Sequence, residues 1–109
     1  MSAKLSTQHC VPCRGGTPPF TGKKTKKYLK EIPGWKTVGK KKLLKKFKFK
    51  NFRGSINFVR KIADIAEKEN HHPDMSIFYN VVQIEIWTHT IGGLSRNDFI
   101  LAAKIDKIP

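Results

Sequence analysis

From Leu44 to Phe52 the chain alternates: Lys46, Lys48 and Lys50 point one way, while Phe47, Phe49 and Phe52 lean the other. That period of two predicts a half-buried strand with a charged outer face. The period then changes. Ile56, Val59, Ile62, Ala63 and Ala66 fall at helical spacing, with Phe58 and Ile65 alongside. Arg60, Lys61, Asp64, Glu67 and Lys68 form the opposite, polar face, so a helix is predicted over 56–69. Within it Asp64 and Lys68 make a favourable i, i+4 pair, and Asn70 is a natural residue for its end. Val81 to Thr88 is the second clear strand, with Val82, Ile84 and Ile86 on one face and Val81, Gln83, Glu85 and Trp87 on the other. Ser95 and Asp98 have the S-x-x-D spacing of a capping box. They open a last helix through Lys107 whose apolar side is Phe99, Ala102, Ala103 and Ile105.

Upstream, Thr21 is a plausible N-cap for a short helix over Gly22 to Glu31 that presents Tyr28, Leu29 and Ile32 and ends at Pro33-Gly34. Trp35 to Val38 begins a strand and Gly39-Lys40 a turn. Residues 1–20, with Gly15-Gly16 and Pro18-Pro19, read as an extended N-terminal arm, and 21–109 as one domain. The order helix, strands, helix, strands, helix, with short strand connections, predicts an α+β fold: an antiparallel sheet with helices packed on one face. A chain of this size buries only ~60–65% of its unfolded surface, so self-association is one way to add buried area.

Charge adds an asymmetry. The net charge of +14 comes from 22 basic and 8 acidic residues. Lys23 to Lys50 holds 13 lysines against the single acid Glu31, whereas 51–109 holds seven of each sign. Lysines interleaved with Phe47 and Phe49 are what a single-strand nucleic-acid binder uses. Alternation, however, puts those rings opposite the lysines, and no Arg supplies bidentate readout between 23 and 50. The run therefore reads as a solvated face with weak, salt-sensitive, non-specific polyanion binding. No apolar run approaches the ~18 residues of a membrane span, and Met1 to Ser6 lacks the apolar core of a signal peptide; a soluble cytoplasmic protein is expected. Cys10 and Cys13 form a C-x-x-C pair with only His9 nearby and no preceding strand. They are read as reduced thiols in a loose segment rather than half a zinc site or a redox pair.

Of four histidines, three gather at two element junctions, His71-His72 and His89. Imidazole exchanges protons near neutral pH, so such a group suggests acid–base chemistry. It also suggests a metal site, because three histidines can hold zinc. Adjacent histidines followed by Pro73 rarely chelate one ion, and H-x-x-x-H spacing is absent.

The spacing Glu67-x-x-x-His71-His72-Pro73, then Tyr79, His89 and Asp98, resembles the signature of the pterin-4a-carbinolamine dehydratases. Cys10-x-x-Cys13-x-Gly15 with Pro18-Pro19 is similar to the leader of bacterial members. Pro33-Gly34-Trp35 resembles the family's helix-ending segment, and Gly93-Leu94-Ser95-x-x-Asp98 its C-terminal loop and helix. The lysine load of residues 23–50 is heavier than the resemblance implies. The resemblance implies a four-stranded antiparallel sheet with helices on one face, and a homodimer or homotetramer. It also implies dehydration of a 4a-hydroxytetrahydropterin to the quinonoid dihydropterin, without metal or cofactor, in support of a pterin-dependent aromatic amino acid hydroxylase.

By the same resemblance His71, His72 and His89 form the active site, surrounded by Glu67, Pro73, Trp35 and Asp98. His71 and His89 would transfer protons and His72 would position substrate. Glu67 would orient a histidine or else lie on a solvated helix face. Asp98 would cap the last helix while holding His89. Trp35 would wall the pterin or serve as a core aromatic, and Tyr79 would pack.

Overall fold

The computed structural model describes residues 5–11 and 18–108. Its elements run α1 (Gly22–Leu29), β1 (Lys36–Val38), β2 (Lys42–Lys48), α2 (Phe52–Glu69), β3 (Asp74–Phe78), β4 (Val81–Ile86) and α3 (Arg96–Asp106). The four strands form one antiparallel sheet in the order β1-β2-β4-β3.

Asn51 decides where the second strand gives way to helix. Its backbone is extended and its side chain accepts a hydrogen bond from the Gly54 amide at 2.9 Å, which caps α2. The helix therefore starts at Phe52, well before the apolar period made it visible, and Phe52 is 52% exposed rather than part of a strand. Ala63, at helical spacing with the core positions, faces solvent. Thr21 caps α1 as expected, accepting from the Lys24 amide.

The inner face of the sheet is Leu43 of β2 and Val82, Ile84 and Ile86 of β4, all fully buried. Against it lie Phe58 and Ile62 of α2 and Phe99, Leu101 and Ile105 of α3. Each such aliphatic or aromatic side chain contributes about 1.5–3 kcal/mol on burial. Phe47 and Phe49 pack their rings on Phe58 at centroid distances of 4.7 and 4.9 Å, while Lys46 and Lys48 point outward. Lys45 shares the inward parity of Leu43 and Phe47. Its stem passes Trp35, and its ammonium meets Asp106 at 2.9 Å; a lysine on an inner face reaches out to a carboxylate in this way. Asp74–Phe78 forms an edge strand that the sequence pattern did not reveal.

Residues 5–11 are docked, not loose. Leu5–Thr7 make a single 3-10 turn, Leu5 is buried in the core, and Lys104 of α3 donates to the Ser6 carbonyl at 3.0 Å. Cys13 and Gly15-Gly16 lie outside the described residues. Among the described residues no helix is long and apolar enough to cross a membrane.

Candidate active site

Three element ends meet at one side of the sheet. The helix α2 stops at Asn70, whose left-handed backbone (φ 52°) turns the chain. The His71 amide then bonds back to the Ala66 carbonyl at 3.2 Å, which sends His71, His72 and Pro73 off the helix and into β3. The strand β4 runs on through Trp87 to Thr88, which bridges to Gly93 around a 3-10 turn, His89–Ile91. Ser95 then caps α3 in a capping box with Asp98.

Asp98 is fully buried and satisfied on both oxygens. One accepts from the Ser95 amide at 2.8 Å and the Thr88 hydroxyl at 2.9 Å; the other meets His71 Nε2 at 2.6 Å. Thr88 gives its hydroxyl hydrogen to Asp98, so the Ser95 hydroxyl, 2.8 Å away, donates to Thr88. A carboxylate only accepts, so His71 Nε2 carries the hydrogen, and Nδ1 is the nitrogen left to take a proton. The expectation that Asp98 holds His89 is corrected: its partner is His71.

His89 is exposed and stacks on Trp87, with ring centroids 3.9 Å apart. Trp87 in turn donates to Asp74 at 3.4 Å, and the Lys42 ammonium lies 5.1 Å from its ring centroid. His72 pairs with Glu67 at 2.6 Å, with both side chains more than half exposed. One cavity of about 380 Å³ is lined by His71, His72, Pro73, Trp87 and His89. A second, of about 420 Å³, shares His71 and Thr88 with it and is lined further by Cys10, Val11 and Glu69. The two cavities adjoin along Asn70, His71, Thr88 and Thr90, and each is large enough for a small heterocycle.

The structure thus brings together His71, His72, Pro73 and His89, with Asp98 behind His71 and Glu67 behind His72. Trp35 is not among them. It is buried immediately before β1, donates its indole N–H to both Asp106 oxygens at 3.0 and 3.1 Å, and stands edge-on to Phe47. It is the core aromatic of the two readings the sequence left open. Tyr79, expected to pack, is 64% exposed on the left-handed turn between β3 and β4. Among the described residues, no three His, Cys, Asp or Glu side chains are grouped to hold a metal ion.

Two polar residues at the cleft escaped the sequence reading, Glu69 and Asn97, both buried. Glu69 accepts from the Cys10 amide at 2.8 Å and from the His9 ring at 3.0 Å, and Lys104 stands 3.5 Å away. Burial raises its pKa, but the Cys10 amide, His9 and Lys104 together outweigh that, and the carboxyl titrates below the ordinary value. A depressed carboxyl stabilises the fold above its unfolded pKa, and that contribution is lost as pH falls through the folded value. Glu69→Gln is therefore expected to cost about 1–3 kcal/mol near neutrality. The gap from wild type should shrink below pH ~4.5 in urea unfolding; a gap constant from pH 7 to pH ~3 would overturn this.

The family model for pterin 4 alpha carbinolamine dehydratase matches residues 18–108. The chain belongs to the pterin-4a-carbinolamine dehydratase family. A relative from Rubrobacter xylanophilus that carries the family's name is 39% identical over 106 residues, covering 97% of this chain and 99% of its own. Another, from Rickettsia canadensis, is 50% identical over 103 residues, covering 94% of each. The solved structure of a transcriptional coactivator/pterin dehydratase from Brucella melitensis superposes with a TM-score of 0.77 at 31% identity, covering 81% of this chain and 95% of that one. The four-stranded antiparallel sheet expected from the sequence is the dehydratase fold, and the chain is an enzyme of the hydro-lyase class with a pterin substrate.

Proposed function

We propose that the cleft dehydrates a 4a-hydroxytetrahydropterin by histidine acid–base catalysis, and that the Asp98–His71 pair carries the reading. In the reaction the C4a–O bond breaks, the adjacent ring nitrogen loses its proton, and a C=N bond forms. The hydroxyl leaves as water only if it gains a proton. One acid and one base suffice, and no electron is gained or lost overall. His71 takes the ring-nitrogen proton on Nδ1, because Asp98 fixes the other nitrogen as a donor. The buried carboxylate then stabilises the imidazolium that forms. His89 delivers a proton to the departing hydroxyl. Its ring is held against that of Trp87, with centroids 3.9 Å apart. His72, tied to Glu67, positions the substrate at the mouth of the cleft.

The test is dehydration of chemically generated 4a-hydroxytetrahydropterin, followed by ultraviolet absorbance after chelator treatment. The wild-type rate should survive chelation and exceed the spontaneous rate. His89→Ala should lower kcat by about 100-fold. A wild type no faster than the spontaneous reaction, or a rate abolished by the chelator, sinks the assignment.

The same reading carries a homodimer or homotetramer, supplied with substrate by a pterin-dependent aromatic amino acid hydroxylase in the cytoplasm. The exposed Ile77 and Phe78 on edge strand β3, beside Tyr79, support self-association there; a monomeric mass in sedimentation would exclude it. The exposed Lys46, Lys48 and Lys50 support only weak, non-specific polyanion binding, which should vanish at high salt.

A further inference from the structure

We infer that the segment His9–Val11 is a wall of the pterin site, and that Glu69 and Asn97, which hold it there, are positioning residues for substrate binding. The inference rests on the pterin reading of the cleft and adds to it a part of the chain that precedes the span matched by the family model.

The first observation is continuity. Cys10 and Val11 line the 420 Å³ cavity together with His71 and Thr88, which also line the cavity of His72 and His89. A ligand that contacts His71 from the side of this cavity meets residues 10 and 11.

The second is how that segment is held. Asn97 treats Val11 as a neighbouring strand would: its amide oxygen accepts from the Val11 N–H at 3.0 Å, and its amide nitrogen donates to the Val11 carbonyl. The Cys10 thiol donates to the Asn97 carbonyl at 3.6 Å. From the other side Glu69 accepts from the Cys10 N–H and from His9. Burying a carboxylate and a carboxamide is unfavourable unless every polar atom is matched. Here the matching partners are backbone groups of a terminal segment that water would otherwise satisfy. The matching fixes the segment's place, which a site wall requires and an inert tail does not.

The third is where the two anchors stand. Glu69 precedes His71 by two residues at the end of α2, and Asn97 immediately precedes Asp98 at the start of α3. The elements that hold His71 and its carboxylate also hold the wall, so wall and base keep a fixed separation. The wall borders the cavity of His71 but supplies no group to the proton transfers, so it acts on binding: the substrate is held equally in ground and transition states, which moves KM and leaves kcat.

The experiment uses the full chain with Cys13→Ser, so that Cys10 is the remaining thiol, alone and combined with Asn97→Ala, Glu69→Gln or Val11→Asp. Dehydration kinetics should show KM raised about tenfold or more in all three, with kcat within about threefold of the parent. Val11 is 65% exposed, so its substitution tests the wall even if the anchor variants fail to fold. In parallel, 7,8-dihydropterin should slow the reaction of Cys10 with a thiol reagent in the parent and not in Asn97→Ala. Unchanged KM in Val11→Asp, or absence of protection in a parent that dehydrates substrate, overturns the wall. A parent that fails to dehydrate sinks the pterin chemistry instead. Protection of Cys10 by the dihydropterin then still decides whether the segment borders a pterin site.

Discussion

His71→Ala and Asp98→Asn are each expected to lower kcat by about a thousandfold, and the double variant should be little worse than either alone. Removing His71 removes the base. Replacing Asp98 by Asn leaves the shape and reverses the hydrogen bond. An amide that turns its NH2 toward His71 Nε2 makes that nitrogen an acceptor and puts the ring hydrogen on Nδ1, where the proton must be taken. Residues that act as one unit lose their effect once, which is why the two changes should not add. The carboxamide in Asp98→Asn also turns one of three accepting contacts into a donor, so stability should fall by about 1–3 kcal/mol. The kcat must therefore be measured where circular dichroism shows the variant folded. Retention of more than about a tenth of the wild-type rate by Asp98→Asn would remove Asp98 from the mechanism.

Phe99→Ala should be the most destabilising single truncation, at about 3–5 kcal/mol. The ring is fully buried, 5.7 Å from Phe20 in a stacked arrangement and 5.2 Å from Tyr28. It joins α1, the entry to α1 and α3 in one contact. The lost transfer energy is compounded by a cavity that three separate segments cannot close together. For a domain of ordinary stability this is a third or more of the total. The readout is a lower urea midpoint with an unchanged slope; a loss under about 1.5 kcal/mol would mean the site collapses and fills. Phe99 follows Asp98 directly, so the same variant should weaken catalysis through the carboxylate it no longer holds in register.

The fold was legible where one face of an element is apolar at a regular period. The helix α2, the strand β4 and the inner face of β2 declared themselves this way. The start of α2 did not, because Phe52 follows Phe47 and Phe49 closely enough to be read with them although its parity is that of Lys48 and Lys50, and only the Asn51 cap marks the helix start. The strand β3 did not, because an edge strand exposed at four of its five positions has no alternation to read. At the site, His71, His72, Pro73, His89 and Asp98 were visible through family spacing, yet the pairing of Asp98 with His71 was not: spacing names residues and leaves their partners open. Trp35 stayed between two readings because its partner, Asp106, lies 71 residues away. Glu69 and Asn97 were silent for a related reason. A buried Glu or Asn satisfied by main-chain atoms of residues 10 and 11 leaves no side-chain pattern behind.

The strand order has a kinetic consequence. The hairpins β1–β2 and β3–β4 are local, but the central seam joins β2 to β4, with Leu43 opposite Ile86 and the whole of α2 between them in sequence. Each hairpin can close in about 1–10 μs, whereas the seam must first close a long loop, which places this chain among the slower-folding mixed topologies. The cleft histidines all belong to the later partner of that seam and its flanks.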